Sequence, residues 1–310
     1  MSVVESVLDD PRPVVASQRN KARAEAVAAM KAQGLDYDQR MAELETVQHP
    51  RPLADLLEPM FEVYSQAHPW VLEHELRPKS VARDMHERAM DFGTYVRHYD
   101  LARSEGTLLR YLSDVYKALV RTVPMDVKTD ELWDVIEWLG EMVRQVDSSL
   151  LDEWETLLDP TSTTAATGPS ATLDERPRPV TENRRAFTVM VRNAMFRRVE
   201  LAANRRWDEL AELDGEGGWD AARWQDEFDG YFAEHATIGI GADARNPAML
   251  GITEADGRWR IRQVLDDPAG ERAWSIEAQV DLAASAETGE PVLRTIAVRD
   301  TSSGHGGTVP

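Results

Sequence analysis

The side chains best placed to do chemistry in this chain are cations. Arg110, Lys117 and Arg121 recur at i, i+7 and i+11, one stripe of a helix, and basic groups in such a row suit phosphate oxygens. The competing reading is a solvated face, in which Asp114 pairs with Arg110 at i−4 and Lys117 at i+3. A second set is Arg184, Arg185, Arg192, Arg197, Arg198, Arg205 and Arg206. Only Glu200 lies among them, which makes a formal +6 inside a chain of net charge −20. Arg185 and Arg192 are seven apart, as are Arg198 and Arg205, so each pair is expected to share a helix face. These four would contact phosphates or dock on an acidic surface. The preferred alternative is internal neutralisation by Asp208, Glu209, Glu212 and Asp214, because an acid excess this large makes basic groups natural internal partners.

Other chemistries find little support. No GxxxxGK[ST] occurs, so no backbone cradle with a lysine for β- and γ-phosphates is expected, and no Asp-Glu-x-Asp or Asp-Glu-x-His follows. The chain is not a nucleotide-driven motor by itself, and no catalytic residue is assigned. Cysteine is absent, which removes disulfides, thiolate ligands and thiol nucleophiles and fits a reducing cytoplasm. His68 and His74 are six apart and His86 and His98 twelve, neither being the i, i+4 spacing of two metal ligands on one helix face, and His305 lies in a glycine-rich tail; no metal site is expected. Gly239 to Asp243 (GIGAD) neither follows a strand nor opens a helix, so it reads as a loop. Trp219, Trp224, Phe228, Phe232, Trp259 and Trp274 would line a ligand pocket only if they did not form plain core, which is the commoner fate of aromatics at these periods.

The elements that must position these residues follow from periodicity. Residues 1–16 read as a disordered arm without the features of a signal peptide. Residues 17–158 read as an all-helical domain. In it Gly34 ends the first helix, Asp36 and Gln39 form a capping box, and Leu53, Leu56, Leu57, Met60 and Tyr64 share one side of a helix that Pro59 should kink or break. Pro69 opens a short helix. Ser80 is expected to cap a single helix from Val81 to about Asp100, and Ser104 a second whose apolar face is Leu108, Leu109, Leu112, Val115, Tyr116, Leu119 and Val120. Thr129 caps a helix burying Leu132, Ile136, Leu139, Met142 and Val143, and a further turn spans Ser149 to Leu158. Residues 159–180, rich in Thr, Ser, Ala and Pro, read as a flexible linker.

Residues 181–300 read as an α+β domain. A long helix begins at Thr181 and ends at Gly215, Gly217 and Gly218, and a second runs from Ala221 to His235. Strands follow at 248–253, 258–264, 273–284 and 291–298, the first two joined by Asp256-Gly257. The expected fold class is therefore multi-domain: an N-terminal helical bundle, then helices with a curved four-stranded antiparallel meander, patterned like nuclear-transport-factor-like folds. Residues 301–310 read as a disordered tail.

The run from Phe92 and Tyr95 into SEGTLLRYLSDVYKAL resembles the C-terminal helical domain of superkiller-type, exosome-associated superfamily 2 RNA helicases. The match to that family's ratchet helix is Glu105, Gly106, Thr107, Leu108, Leu109 and Arg110. The family's basic pair three and four residues after the arginine is replaced by Ser113 and Asp114. Nearly the whole chain, above all HPWVLEHELRPKS and RQVDSSLLDEWE, looks still more like the C-terminal region of actinobacterial DEAD/DEAH-box helicases, a domain of unknown function. The resemblance implies an accessory module without catalysis of its own. Its partners would be motor domains in cis or trans, which would bind the ATP and Mg that this chain does not, and single-stranded RNA, which Glu105 and Arg110 would contact by the resemblance and Lys117 and Arg121 by their spacing on the same helix. The alternatives are a free-standing interaction protein without a motor, or a small-molecule-binding wrapped α+β domain. Composition adds an ordinary soluble mix with no run of the roughly 18 to 20 apolar residues that a membrane span needs. The net charge repels polyanions beyond a Debye length of about 8 Å, so any strand contact must be local.

Overall fold

A computed structural model describes residues 1–147, 149–151, 179–241, 243–255 and 257–300. The chain divides into two compact units, residues 1–169 and 170–310. The first is helical and the second is α+β with one antiparallel sheet, the expected fold class. The expected linker at 159–180, apart from its last two residues, lies outside the described residues. So do the tail at 301–310, Asp256 of the hairpin, and the turn at 149–158 beyond Leu151.

The first unit comprises α1 (Ser2–Ser6), α2 (Arg12–Ala32), α3 (Tyr37–Thr46), α4 (Ala54–Ala67), a 3-10 turn at Pro69–Glu73, α5 (Ala82–Glu87), α6 (Phe92–His98), α7 (Glu105–Thr122) and α8 (Asp130–Asp147). Residues 1–16, expected to be a disordered arm, are folded: α1 and the start of α2 occupy them, and Glu5 is fully buried. Gly34 follows α2 in the left-handed region, and the Asp36–Gln39 box caps α3 in both directions, as the sequence indicated. Of the kink or break expected at Pro59, the break does not occur: Pro59 lies inside α4.

The single helix expected from Val81 to Asp100 is two. Ala89 turns left-handed (φ 49°) and the Met90 N–H reaches back to the Met85 carbonyl, a six-to-one closure that ends α5. Asp91 then caps α6 by accepting from the Thr94 N–H at 2.7 Å. Ser80 does not cap α5. The amides of Val81, Ala82 and Arg83 instead donate to the Glu5 carboxylate at 2.8, 2.9 and 3.1 Å. Ser104 does sit at the N-cap of α7, although its hydroxyl makes no capping bond.

The second unit begins with α9 (Arg184–Ala203), α10 (Trp207–Asp214) and α11 (Ala221–Glu234). The expected long helix from Thr181 is interrupted at Arg205 (φ 53°), where the Arg206 N–H closes on the Leu201 carbonyl. The sheet, β1 (Leu250–Ala255), β2 (Arg258–Val264), β3 (Trp274–Asp281) and β4 (Val292–Asp300), is a meander in chain order. Gly257 (φ 69°) lies in the two-residue loop closed by the Ala255–Arg258 pair, the geometry an Asp-Gly turn supplies. β3 is shorter than expected: Asp281 ends it and caps α12 (Leu282–Thr288), with the Ala284 N–H donating to its carboxylate at 3.0 Å.

Trp259, Ile261 and Gln263 alternate inward on β2, facing Val280, Ala278 and Ile276 of β3. On β4 the inward residues are Thr295 and Val298, three apart rather than two. A register shift accounts for this: Ala278 pairs with Thr295 and Glu277 with Ala297, leaving Ile296 as the extra residue of a bulge.

Candidate nucleic-acid interface

Helix α7 carries the expected site residues, and three sets of contacts hold it. Tyr111 donates its hydroxyl to Glu5 at 3.0 Å, which ties the helix to α1 and to the start of α5. Gly140 of α8 lies so close under Tyr116 that an added Cβ would come within 2.7 Å of the ring. Leu108, Leu112, Val115 and Leu119 are fully buried. The buried face is wider than the apolar pattern indicated, because Tyr111 and Ser113 also point inward.

What remains outside is a narrow polar stripe. Arg110 and Arg121 are exposed and Lys117 is half-buried, so these three do share one face. Glu105 does not join them. It stands at the first turn, five residues before Arg110 and so about 140° around the helix, where a carboxylate suits the positive end of the helix dipole. Asp114 lies within the stripe: burial pushes its carboxyl pKa up, while Lys117 and Arg110 pull it down. The two cations are therefore partly neutralised from within the helix, which is the solvated-face reading of the sequence. Ser113, at one of the two positions where the resembled helicases carry a base, faces the core and could not reach a strand in any case.

The arginines of the second unit divide by burial. Arg198 forms a buried bidentate pair with Asp214 (2.9 and 2.6 Å), and Thr295 of β4 bridges the two. Arg197 pairs with Glu200 and Glu209, and Arg206 with Glu209. As a phosphate or docking contact Arg198 is thus corrected: its guanidinium has no surface to offer. Arg205 lies beyond the end of α9, over the Phe232 ring at 4.3 Å, so it shares no helix face with Arg198. Arg185 is exposed and Arg192 half-buried on α9. Internal neutralisation, the preferred sequence reading, describes Arg197, Arg198 and Arg206.

The aromatic residues offered for a pocket pack on one another. Trp219 and Trp224 have ring centroids 4.5 Å apart, Trp224 and Phe228 6.1 Å, and Tyr231 meets Trp274 edge-on at 5.8 Å. Phe187 of α9 covers Trp259 at 5.1 Å. These rings are core.

Two features escaped the sequence reading. Glu5 was assigned to a disordered arm, yet it is the buried acceptor for a helix start and for Tyr111, contacts that no local spacing signals. The side of α4 expected to be apolar is turned outward. Of the expected side Leu53, Leu56, Met60 and Tyr64 are exposed and only Leu57 is half-buried; with Val63, and with Trp70 and Leu72 just beyond, the exposed residues are 45–68% exposed, whereas Ala54 and Ser65 are the residues buried. Among the described residues no helix is long and apolar enough to cross a membrane.

Searches for similarity to curated proteins and to solved structures found no match. Residues 1–298 match the family described as Domain of unknown function (DUF3516), so by a match covering nearly its whole length this chain belongs to that family.

Proposed function

We propose that the chain is a non-catalytic accessory module of an ATP-dependent superfamily 2 RNA helicase, of the DEAD/DEAH-box kind, that packs on the motor domains and helps guide a single strand. The observation that carries this reading is α7: an amphipathic helix held on its apolar side, with Arg110, Lys117 and Arg121 in one outward row behind the Glu105-Gly106-Thr107-Leu108-Leu109-Arg110 sequence. The outward apolar face of α4 supports the docking half of the proposal, since exposed contiguous apolar surface marks interaction sites. ATP and Mg belong to the motor in this reading, and the cysteine-free composition suits a cytoplasmic setting.

The test is anisotropy titration of labelled single-stranded RNA with the chain at low and physiological salt. Weak binding that falls with salt and is reduced several-fold by Arg110→Ala is expected. No binding even at low salt removes the strand-guiding half. The α4 face equally favours a free-standing interaction protein. The two readings separate on whether the reading frame upstream of Met1 encodes a phosphate-binding glycine loop and a DEAD-type box.

A further inference from the structure

A second basic row lies on α2. Arg12, Arg19 and Arg23 repeat the spacing i, i+7, i+11, and they line an open groove of about 470 Å³ together with Asn20, His49 and Asp10. Among the described residues none of these three guanidiniums makes a hydrogen bond or an ion pair. In a chain with 55 acidic residues against 35 basic ones, leaving three guanidiniums unneutralised around one concavity runs against the internal pairing seen at Arg197, Arg198 and Arg206.

The one carboxylate in the lining is already engaged. Asp10 pairs at 3.1 Å with Lys79, whose side chain is fully buried and whose ammonium also donates to the Leu8 and Arg77 carbonyls at 2.7 and 3.0 Å. His49 donates Nε2–H to the Pro78 carbonyl at 3.3 Å; burial lowers its pKa, so near neutral pH it adds a polar edge and not a charge. The groove is therefore cationic, with an amide and an imidazole beside the guanidiniums.

We propose that this groove binds the phosphodiester backbone of a single nucleic-acid strand. At 1.5 Å per residue, Arg12 to Arg23 spans about 16 Å of helix axis, too long for one phosphate and matched to several successive ones. Guanidiniums are suited to phosphate oxygens by their planar, forked donors. The groove opens to solvent, as a passing strand requires and an enclosed small ligand does not. The proposal stands apart from the reading of α7 and does not need it.

The test uses the full chain and a labelled single strand of about 12 nucleotides, within the span such sites cover. The triple variant Arg12→Ala, Arg19→Ala, Arg23→Ala is expected to weaken binding at least tenfold at low salt. It should also flatten the slope of log K against log salt by about 2, at about 0.7 per phosphate contact. Lysine at the same three positions should restore most of the slope. The three side chains have no structural partner among the described residues, so an unchanged far-UV spectrum is expected. Displacement of the strand by tripolyphosphate but not by oligoglutamate supports phosphate recognition, and equal displacement by both overturns it. Binding of tripolyphosphate by a chain that does not bind the strand at all overturns the strand as occupant. Loss of binding with Arg110→Ala and none with the triple variant overturns the groove and leaves α7. The reverse result leaves the groove and sinks α7.

Discussion

At the scale of single residues, Glu5 is the clearest case of a side chain working at a distance. Its carboxylate receives three backbone amides at the start of α5 and the Tyr111 hydroxyl, so one residue satisfies the donors of a helix end and anchors α7. Burial raises its pKa from the ordinary 4.5, with the Val81, Ala82 and Arg83 amides and Tyr111 opposing the rise. Glu5→Ala leaves these donors buried without an acceptor and is expected to cost about 3 kcal/mol or more, read by denaturant unfolding. The sign of the pH dependence follows from the raised pKa. Between the unfolded value and the folded one the native state holds the extra proton, so stability falls as pH rises through that window. The advantage of wild type over Glu5→Ala should therefore be greatest below about pH 4.5 and shrink above it. A difference independent of pH would refute the assignment.

Arg198 makes the opposite point, that a buried cation is a structural part. Its pair with Asp214 and Thr295 joins α9, the end of α10 and β4. Arg198→Ala strands a buried carboxylate and is expected to cost about 3–5 kcal/mol, whereas Arg198→Met with Asp214→Leu should be near neutral. Thermal unfolding of the two variants separates these outcomes; equal loss in both would show that packing volume, and not the stranded charge, is what matters.

At the scale of elements, the helix breaks and the orientation of α4 departed from expectation for different reasons. Ala89, Asp100 and Arg205 each end a helix in the left-handed region, which costs about 1–2 kcal/mol for a residue with a Cβ. None is the glycine that such an end ordinarily carries, and so the breaks at Ala89 and Arg205 were unmarked, while the end near Asp100 was expected. The six-to-one closures from Met90, Leu101 and Arg206 offset part of that strain. In α4 the spacing of Leu53, Leu56, Leu57, Met60 and Tyr64 signalled an apolar face, and the face exists. Periodicity says that residues share a side, but not that the side is covered. Leu56→Asn with Met60→Asn is accordingly expected to change stability by no more than about 0.5 kcal/mol each, while Leu112→Ala in α7 should cost about 2–5 kcal/mol. A large loss of melting temperature in the α4 variant would mean that its face is structural, and the docking half of the proposed function would fail.

At the scale of the whole molecule, the acid excess frames every cationic site. A net charge of −20 opposes approach of a polyanion, so only cations left unneutralised at short range can hold one. By that measure the stripe on α7, shared with Asp114, is weaker than the row on α2, whose neighbouring Asp10 is held by Lys79.

What the sequence determined by itself is what depends on short range. Period 3.6 against period two separated the helical unit from the meander. Asp36 with Gln39 and Asp256 with Gly257 marked a cap and a hairpin, because those interactions close within a few residues. The stripe of Arg110, Lys117 and Arg121 was legible for the same reason. Only the tertiary structure decided that Glu5, 76 residues from Val81 and 106 from Tyr111, caps one helix and anchors another. It also buried Arg198 against Asp214 and Thr295, turned the apolar side of α4 outward, and set Arg12, Arg19 and Arg23 around a groove with His49. The physical reason is common to all four: burial and pairing belong to surfaces brought together by folding, and a local period records only which residues share a surface, not what that surface meets.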